Sequence, residues 1–124
     1  MHPTDEEIDR LLAYLPLVTG RGLDACPVRH GSGLFDVHYS PEIEDLLRML
    51  SREPWQHREY RAAGGAAYDS PEAIASADMD RLRAMLTYVV RGERFTAGSF
   101  GDAVQAGHIR RLFERLQVLR LSRG

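Results

Sequence analysis

The stretch Met79-Asp80-Arg81-Leu82-Arg83-Ala84-Met85-Leu86-Thr87-Tyr88-Val89-Val90-Arg91 decides the fold of this chain. Leu82, Met85, Leu86, Val89 and Val90 recur in steps of three and four, which on a helix gives one broad apolar face. Asp78 is placed to cap the first turn, and Gly92 follows the last periodic residue, where a glycine commonly ends a helix. A helix with such a face must bury it, so the rest of the chain has to supply partners.

Towards the C-terminus, Phe100, Ala103 and Val104 predict a short helix ending at Gly107. Ile109, Leu112, Phe113, Leu116 and Leu119 then predict a final helix. On the other side, Ser70-Pro71-Glu72 opens a turn of helix, and Gly64-Gly65 closes a weakly periodic segment, 55–63, read as another short helix. Ser40-Pro41-Glu42 is a stronger start signal, an N-cap, a first-turn proline and an acid, leading into Ile43, Leu46, Leu47 and Leu50. At the beginning, Thr4 and Glu7 form a capping box ahead of Ile8, Leu11, Leu12 and Leu15, with Pro16 expected to stop or kink that helix. Residues 19–33 hold four glycines and a proline and read as a long loop. Residues 34–39 read as at most a short extended segment. No stretch alternates apolar and polar over five or more residues. The expectation is a mainly α protein: a compact single domain, residues 1–124, of five or six helices.

Composition narrows the chemistry. The chain has 124 residues and a net charge of −2; all 16 basic residues are Arg, and neither Lys nor Asn occurs. Schiff-base catalysis, a lysine general base, a phosphate-loop lysine and any Asn-dependent triad are therefore excluded. An apolar share of 44% and a charged share of 27% fit a folded globular chain rather than a disordered one. One Cys, Cys26, allows no internal disulfide. The acidic start, Met-His-Pro-Thr-Asp-Glu-Glu, is unlike a signal peptide, and Pro16 interrupts the apolar run 11–18 well short of a membrane span. A cytoplasmic protein is expected. Charge is also uneven: residues 1–50 hold nine acids and four Arg, whereas 81–124 hold nine Arg and three acids. Pairing between the two halves is the first reading of this asymmetry, and an exposed basic face is the second.

Three constellations carry candidate chemistry. Arg91 and Arg94, three apart, share a helix side if the helix continues past Gly92, and His108 opens the last helix, where free N–H groups attract anions. These three form a candidate anion site, against the plainer reading that they cap helix ends. Ala103 and Gly107 have helix-turn-helix spacing, which would place Arg110, Arg111 and Arg115 on a recognition helix. Asp102 and His108 sit badly in that motif, and a packing corner explains the same letters. Cys26, His30, Asp36, His38, Glu42 and His57 supply metal-ligand types, but no tight paired spacing, so no metal and no other cofactor is expected. No nucleophile elbow is present and Cys26 precedes a proline instead of a helix start. Trp55, Tyr60 and Tyr68 read as a satellite core or an interaction surface.

The run Asp80-x-Leu82-Arg83-x-x-Leu86-Thr87, then Val90-Arg91-x-x-Arg94-Phe95, Gly98 and Gly107-His108-Ile109, resembles a family of small bacterial proteins known as a domain of unknown function. Tyr39-Ser40-Pro41-Glu42 is similar to the middle segment of that family. The resemblance covers residues 11–119, best over 82–116 and least over 53–76. It implies a small helical cytoplasmic protein and brings no activity, cofactor or site residue. The function expected from the sequence is thus a non-catalytic interaction or structural module, with a protein partner or a second copy. The alternatives are nucleic-acid binding through helix 108–120 and binding of a small anion at Arg91, Arg94 and His108. A membrane role is not expected.

Overall fold

A computed structural model describes residues 2–19, 28–29 and 37–122. Among them seven α-helices follow one another: α1 Asp5–Leu12, α2 Leu15–Thr19, α3 Pro41–Leu50, α4 Pro71–Ala75, α5 Met79–Phe95, α6 Ser99–Gln105 and α7 His108–Ser122. A 3-10 helix, Gly65–Asp69, precedes α4. Five of the α-helices have seven residues or more, while α2 and α4 have five each. Extended structure is confined to β1 Val28–Arg29, antiparallel to β2 Val37–His38, with Val28 opposite His38. The fold is mainly α, as the periodicity predicts. Residues 20–27 and 30–36, which hold most of the expected glycine-rich loop together with Cys26, His30 and Asp36, lie outside the described residues.

The start signals act through the hydrogen bonds that their chemistry implies. Thr4 Oγ1 accepts from the Glu7 amide, and Glu7 Oε1 accepts from the Thr4 amide at 2.9 Å, completing the capping box. Ser40, Ser70 and Asp78 accept from the amides of Ile43, Ala73 and Arg81 in the same way. Gly107, at φ 84°, takes the left-handed position after α6.

Three boundaries differ from the sequence reading. Pro16 does not end α1 at its own position. A proline ring crowds the carbonyl four residues earlier, here that of Leu12, so α1 stops at Leu12, and Pro16 becomes the second residue of α2, where its missing N–H costs nothing. Gly92 does not end α5, which runs on to Phe95; the left-handed glycine is Gly98, φ 93°, ahead of α6. Gly92 remains helical, and a Cβ there would meet Ser99 Oγ of α6 at 3.4 Å, van der Waals contact. Segment 55–63 is a succession of turns and not an α-helix: the His57 amide and the Gln56 carbonyl bond across to α5, while Ala63 closes a local turn onto the Glu59 carbonyl.

The core is one cluster drawn from every long helix. Ile8 and Leu11 of α1, Ile43 and Leu46 of α3, Leu82 and Met85 of α5, Phe100 of α6, and Ile109, Leu112 and Phe113 of α7 are all fully buried. Each such side chain contributes about 1.5–3 kcal/mol. Trp55 joins this cluster, 2% exposed, so the turns at 51–64 deliver a core residue and not a satellite. Gly65 brings the 3-10 helix directly onto α5: a Cβ there would lie 2.6 Å from the carbonyl oxygens of both Ala84 and Tyr60. This close approach sets Tyr60 and Tyr68 against the second half of α5.

Candidate functional site

Helix α5 carries two polar assemblies. Towards its N-terminus Arg83 is 6% exposed. Its Nε donates to the Pro54 carbonyl at 2.6 Å and its Nη2 to the Gln56 carbonyl at 3.0 Å, with Glu53 3.9 Å away. One turn on, Thr87 Oγ1 donates within reach of the Arg83 and Trp55 carbonyls and accepts from the His57 amide at 2.9 Å. His57 Nδ1 accepts from the Glu59 amide, which leaves the proton on Nε2 to be donated to Asp80 Oδ1 at 3.0 Å. Both ring nitrogens are thus engaged, and neither is presented to a substrate. This assembly ties the 53–59 segment to α5.

Towards the C-terminus of α5 the polar groups are only partly used. Arg91 Nε donates to the Tyr60 hydroxyl at 3.2 Å, and its guanidinium lies 5.4 Å from the Tyr60 ring centroid. The Arg61 guanidinium lies 5.7 Å from the same ring. No carboxylate among the described residues pairs with either cation. Behind them Tyr68 stacks on Tyr88, centroids 5.6 Å apart at 30°, and Tyr60 meets Tyr88 edge-on at 6.0 Å. Together with Gly92, Phe95, Thr96 and Ser99 these residues line a cleft of about 330 Å³. Phe95, at its rim, is 76% exposed, and Ser99 Oγ is buried without a hydrogen-bond partner among the described residues.

The two ends of the aromatic row differ electrostatically. At Tyr60, burial raises the phenol, but the hydrogen bond from Arg91 and the charges of Arg61 and Arg91 outweigh it, and the net direction is down. At Tyr68, burial and the negative charge of Asp69 push the phenol up. Tyr39 is raised further, first by burial and then by its hydrogen bond to Glu93. Glu93 organises the corner beside the cleft: its carboxylate accepts from the Gly98 and Phe100 amides and from the Tyr39 hydroxyl, which itself accepts from the Gly101 amide.

Of the residues singled out from sequence, Arg91 stands in this cleft. Arg94 is exposed and meets Arg91 at a second, much smaller hollow beside Ser51, Gln56 and Thr87. His108 lies behind the far end of the aromatic row, edge-on to Tyr68 at 5.6 Å, so three tyrosine rings separate it from Arg91. On α7, Arg111 Nη1 donates to His108 Nδ1 at 3.2 Å, Arg115 Nε donates to the Ala77 carbonyl at 2.8 Å, and Arg110 stands 3.9 Å from Glu114. Pairing between the halves takes the form of Arg120 with Asp9, at 3.0 Å, and with Asp5. Among the described residues no three His, Cys, Asp or Glu side chains gather as a metal site, and no helix is long and apolar enough to cross a membrane.

Arg61, Tyr88 and Ser99 were missed by sequence reasoning. A signal for Tyr88 was available: Tyr88, Arg91, Gly92 and Phe95 repeat at three- and four-residue steps, a second face of α5 beside its aliphatic one.

These features define a small helical domain with a tyrosine- and arginine-lined cleft on its longest helix. The chain belongs to a family of unknown function (DUF6508), whose sequence profile matches residues 3–122. No curated protein and no solved structure matches it.

Proposed function

We propose that this protein is a non-catalytic binding module, a single domain spanning residues 1–124 of the cytoplasm, whose recognition site is the Tyr60–Arg91 cleft and whose ligand is a small anion. One observation carries the reading: two guanidinium groups, Arg61 and Arg91, converge on Tyr60 at the mouth of a cleft, and among the described residues no carboxylate pairs with either. Among the described residues Arg91 commits Nε alone, to the Tyr60 hydroxyl, so its terminal amines keep donors for a carboxylate or phosphate. Arg94, on the neighbouring side of α5, adds positive potential, while His108 supports Tyr68 from behind.

Ligand that binds only the folded state raises its stability by RT ln(1 + [L]/Kd), about 2.7 kcal/mol at a hundredfold excess over Kd. The test is thermal denaturation in increasing acetate, sulfate and inorganic phosphate at fixed ionic strength. Saturable stabilisation by an anion, absent in Arg91→Gln, is expected; equal shifts for both proteins would overturn the assignment.

A second reading, docking of a protein partner or another copy, rests on the exposed apolar side chains Phe95, Val118 and Leu121. Nucleic-acid binding through Arg110, Arg111 and Arg115 has weaker support, because Arg115 is committed to a backbone carbonyl. Anisotropy titrations at two salt concentrations separate it from the others, since phosphate-backbone binding falls steeply with salt.

A further inference from the structure

We infer that the ligand of the Tyr60–Arg91 cleft is a single aromatic ring carrying a carboxylate or phosphate and, elsewhere on the ring, a hydroxyl. The inference rests on the anion-site reading above and extends it to the rest of the cleft. A bare inorganic anion would satisfy Arg61 and Arg91 and leave everything else unused. The wall beyond them is aromatic: the stacked pair Tyr68–Tyr88, and the Tyr60 ring edge-on to Tyr88. Phe95 projects into solvent at the rim, 76% exposed, an apolar ring held where it can cover a second one. Aromatic rings attract each other beyond simple area burial, in offset or edge-on geometry, by an amount worth about tenfold in affinity.

Ser99 supplies the further polar contact. Its hydroxyl is buried and, among the described residues, unpartnered, 3.4 Å from where a Cβ on Gly92 would lie. A buried hydroxyl without a partner is costly, and a ligand that brings a hydrogen-bonding atom to it relieves that cost. It therefore favours a ring hydroxyl over plain C–H. Size sets the upper bound. The cleft, about 330 Å³, lies at the small end of the roughly 300–1,000 Å³ range of ligand pockets, enough for one substituted ring and too small for a dinucleotide.

The experiment is calorimetric titration of the full chain with benzoate, the three hydroxybenzoates, phenyl phosphate, cyclohexanecarboxylate and inorganic phosphate. Benzoate or phenyl phosphate is expected to bind about tenfold more tightly than cyclohexanecarboxylate or inorganic phosphate; which of the two aryl anions is preferred identifies the anionic group. At least one hydroxybenzoate is expected to exceed benzoate, and Ser99→Ala to erase that difference. Arg91→Gln and the exposed Arg61→Gln are each expected to weaken every aryl anion about tenfold, with unchanged circular dichroism. Equal binding of benzoate and cyclohexanecarboxylate would overturn the ring assignment and leave the anion site standing. A hydroxybenzoate preference that survives Ser99→Ala would overturn the role of Ser99. Absence of binding by every anion, phosphate included, would remove the anion site and this inference together.

Discussion

Arg83 and Arg91 stand on one helix, and the chain treats them in opposite ways. Arg83 is enclosed, and both of its bonded nitrogens reach carbonyls of a segment that has no helix of its own. Arg91 is half-buried, gives one nitrogen to a phenol and turns the remainder towards a cleft. A buried arginine whose donors are consumed by backbone carbonyls is a brace, because removing it leaves those carbonyls without partners. An arginine held by a single bond and an aromatic face is positioned without being used up. The two halves of α5 thus separate holding the fold from meeting a ligand, and the separation can be tested.

The largest effect is expected where the two halves share a foundation. Gly65→Ala places a methyl group against two backbone carbonyls that cannot both move, and is expected to cost upwards of about 3 kcal/mol in chemical denaturation and to abolish binding with the fold. Arg83→Met orphans the Pro54 and Gln56 carbonyls and is expected to lose about 2–3 kcal/mol, read from the denaturation midpoint, while the protein that remains folded still binds anions. Arg91→Gln is expected to do the converse, costing under about 1 kcal/mol while losing anion stabilisation. Comparable destabilisation by these last two would break the contrast between brace and site.

Alkaline titration sharpens the same contrast within the aromatic row. Tyr60, lowered, is expected to ionise before Tyr68 and Tyr39, both raised, with the first ultraviolet transition missing in Tyr60→Phe. The signs follow from linkage. A phenol lowered on folding favours the native state above the free value near 10, and that contribution is lost as the pH falls through the lowered value. For the raised phenols the contribution is complete below the free value and is lost as the pH climbs through the raised one. Smallest of all is Arg120→Ala. Its pairs with Asp9 and Asp5 lie at the surface, and its denaturation curve is expected to overlay that of the parent in high salt.

Much of the scaffold was legible because caps and stripes are local. Thr4 with Glu7, Ser40 with Pro41, and Asp78 each announce a helix within four residues, and the structure places a helix after each. The break ahead of Pro16 was less visible, since the ring acts four residues upstream of itself. Gly92 misled because a glycine ends a helix only when its backbone turns left-handed, and here Gly98, six positions on, is the one that does so. The segment 53–64 was opaque for a deeper reason. Its order comes from Arg83, Thr87 and Asp80, more than twenty residues away, and no periodicity records such partners. Arg91 was readable as a lone cation. Its setting was not, because Tyr60 and Tyr68 reach it only through the close packing of Gly65 on α5.

The Glu93 carboxylate has a consequence for how this family can vary. It gathers donors from Gly98, Phe100 and Tyr39, and the Tyr39 hydroxyl in turn reaches Gly101, 62 residues along the chain. The corner that carries Ser99 to the cleft is thereby fastened to the segment following β2. Loss of the acid would strand the phenol, and loss of the phenol would leave the Gly101 amide without its acceptor. Tyr39 and Glu93 form one heritable unit, expected to be kept or replaced together in descendants of this sequence, whatever each lineage selects at the cleft they frame.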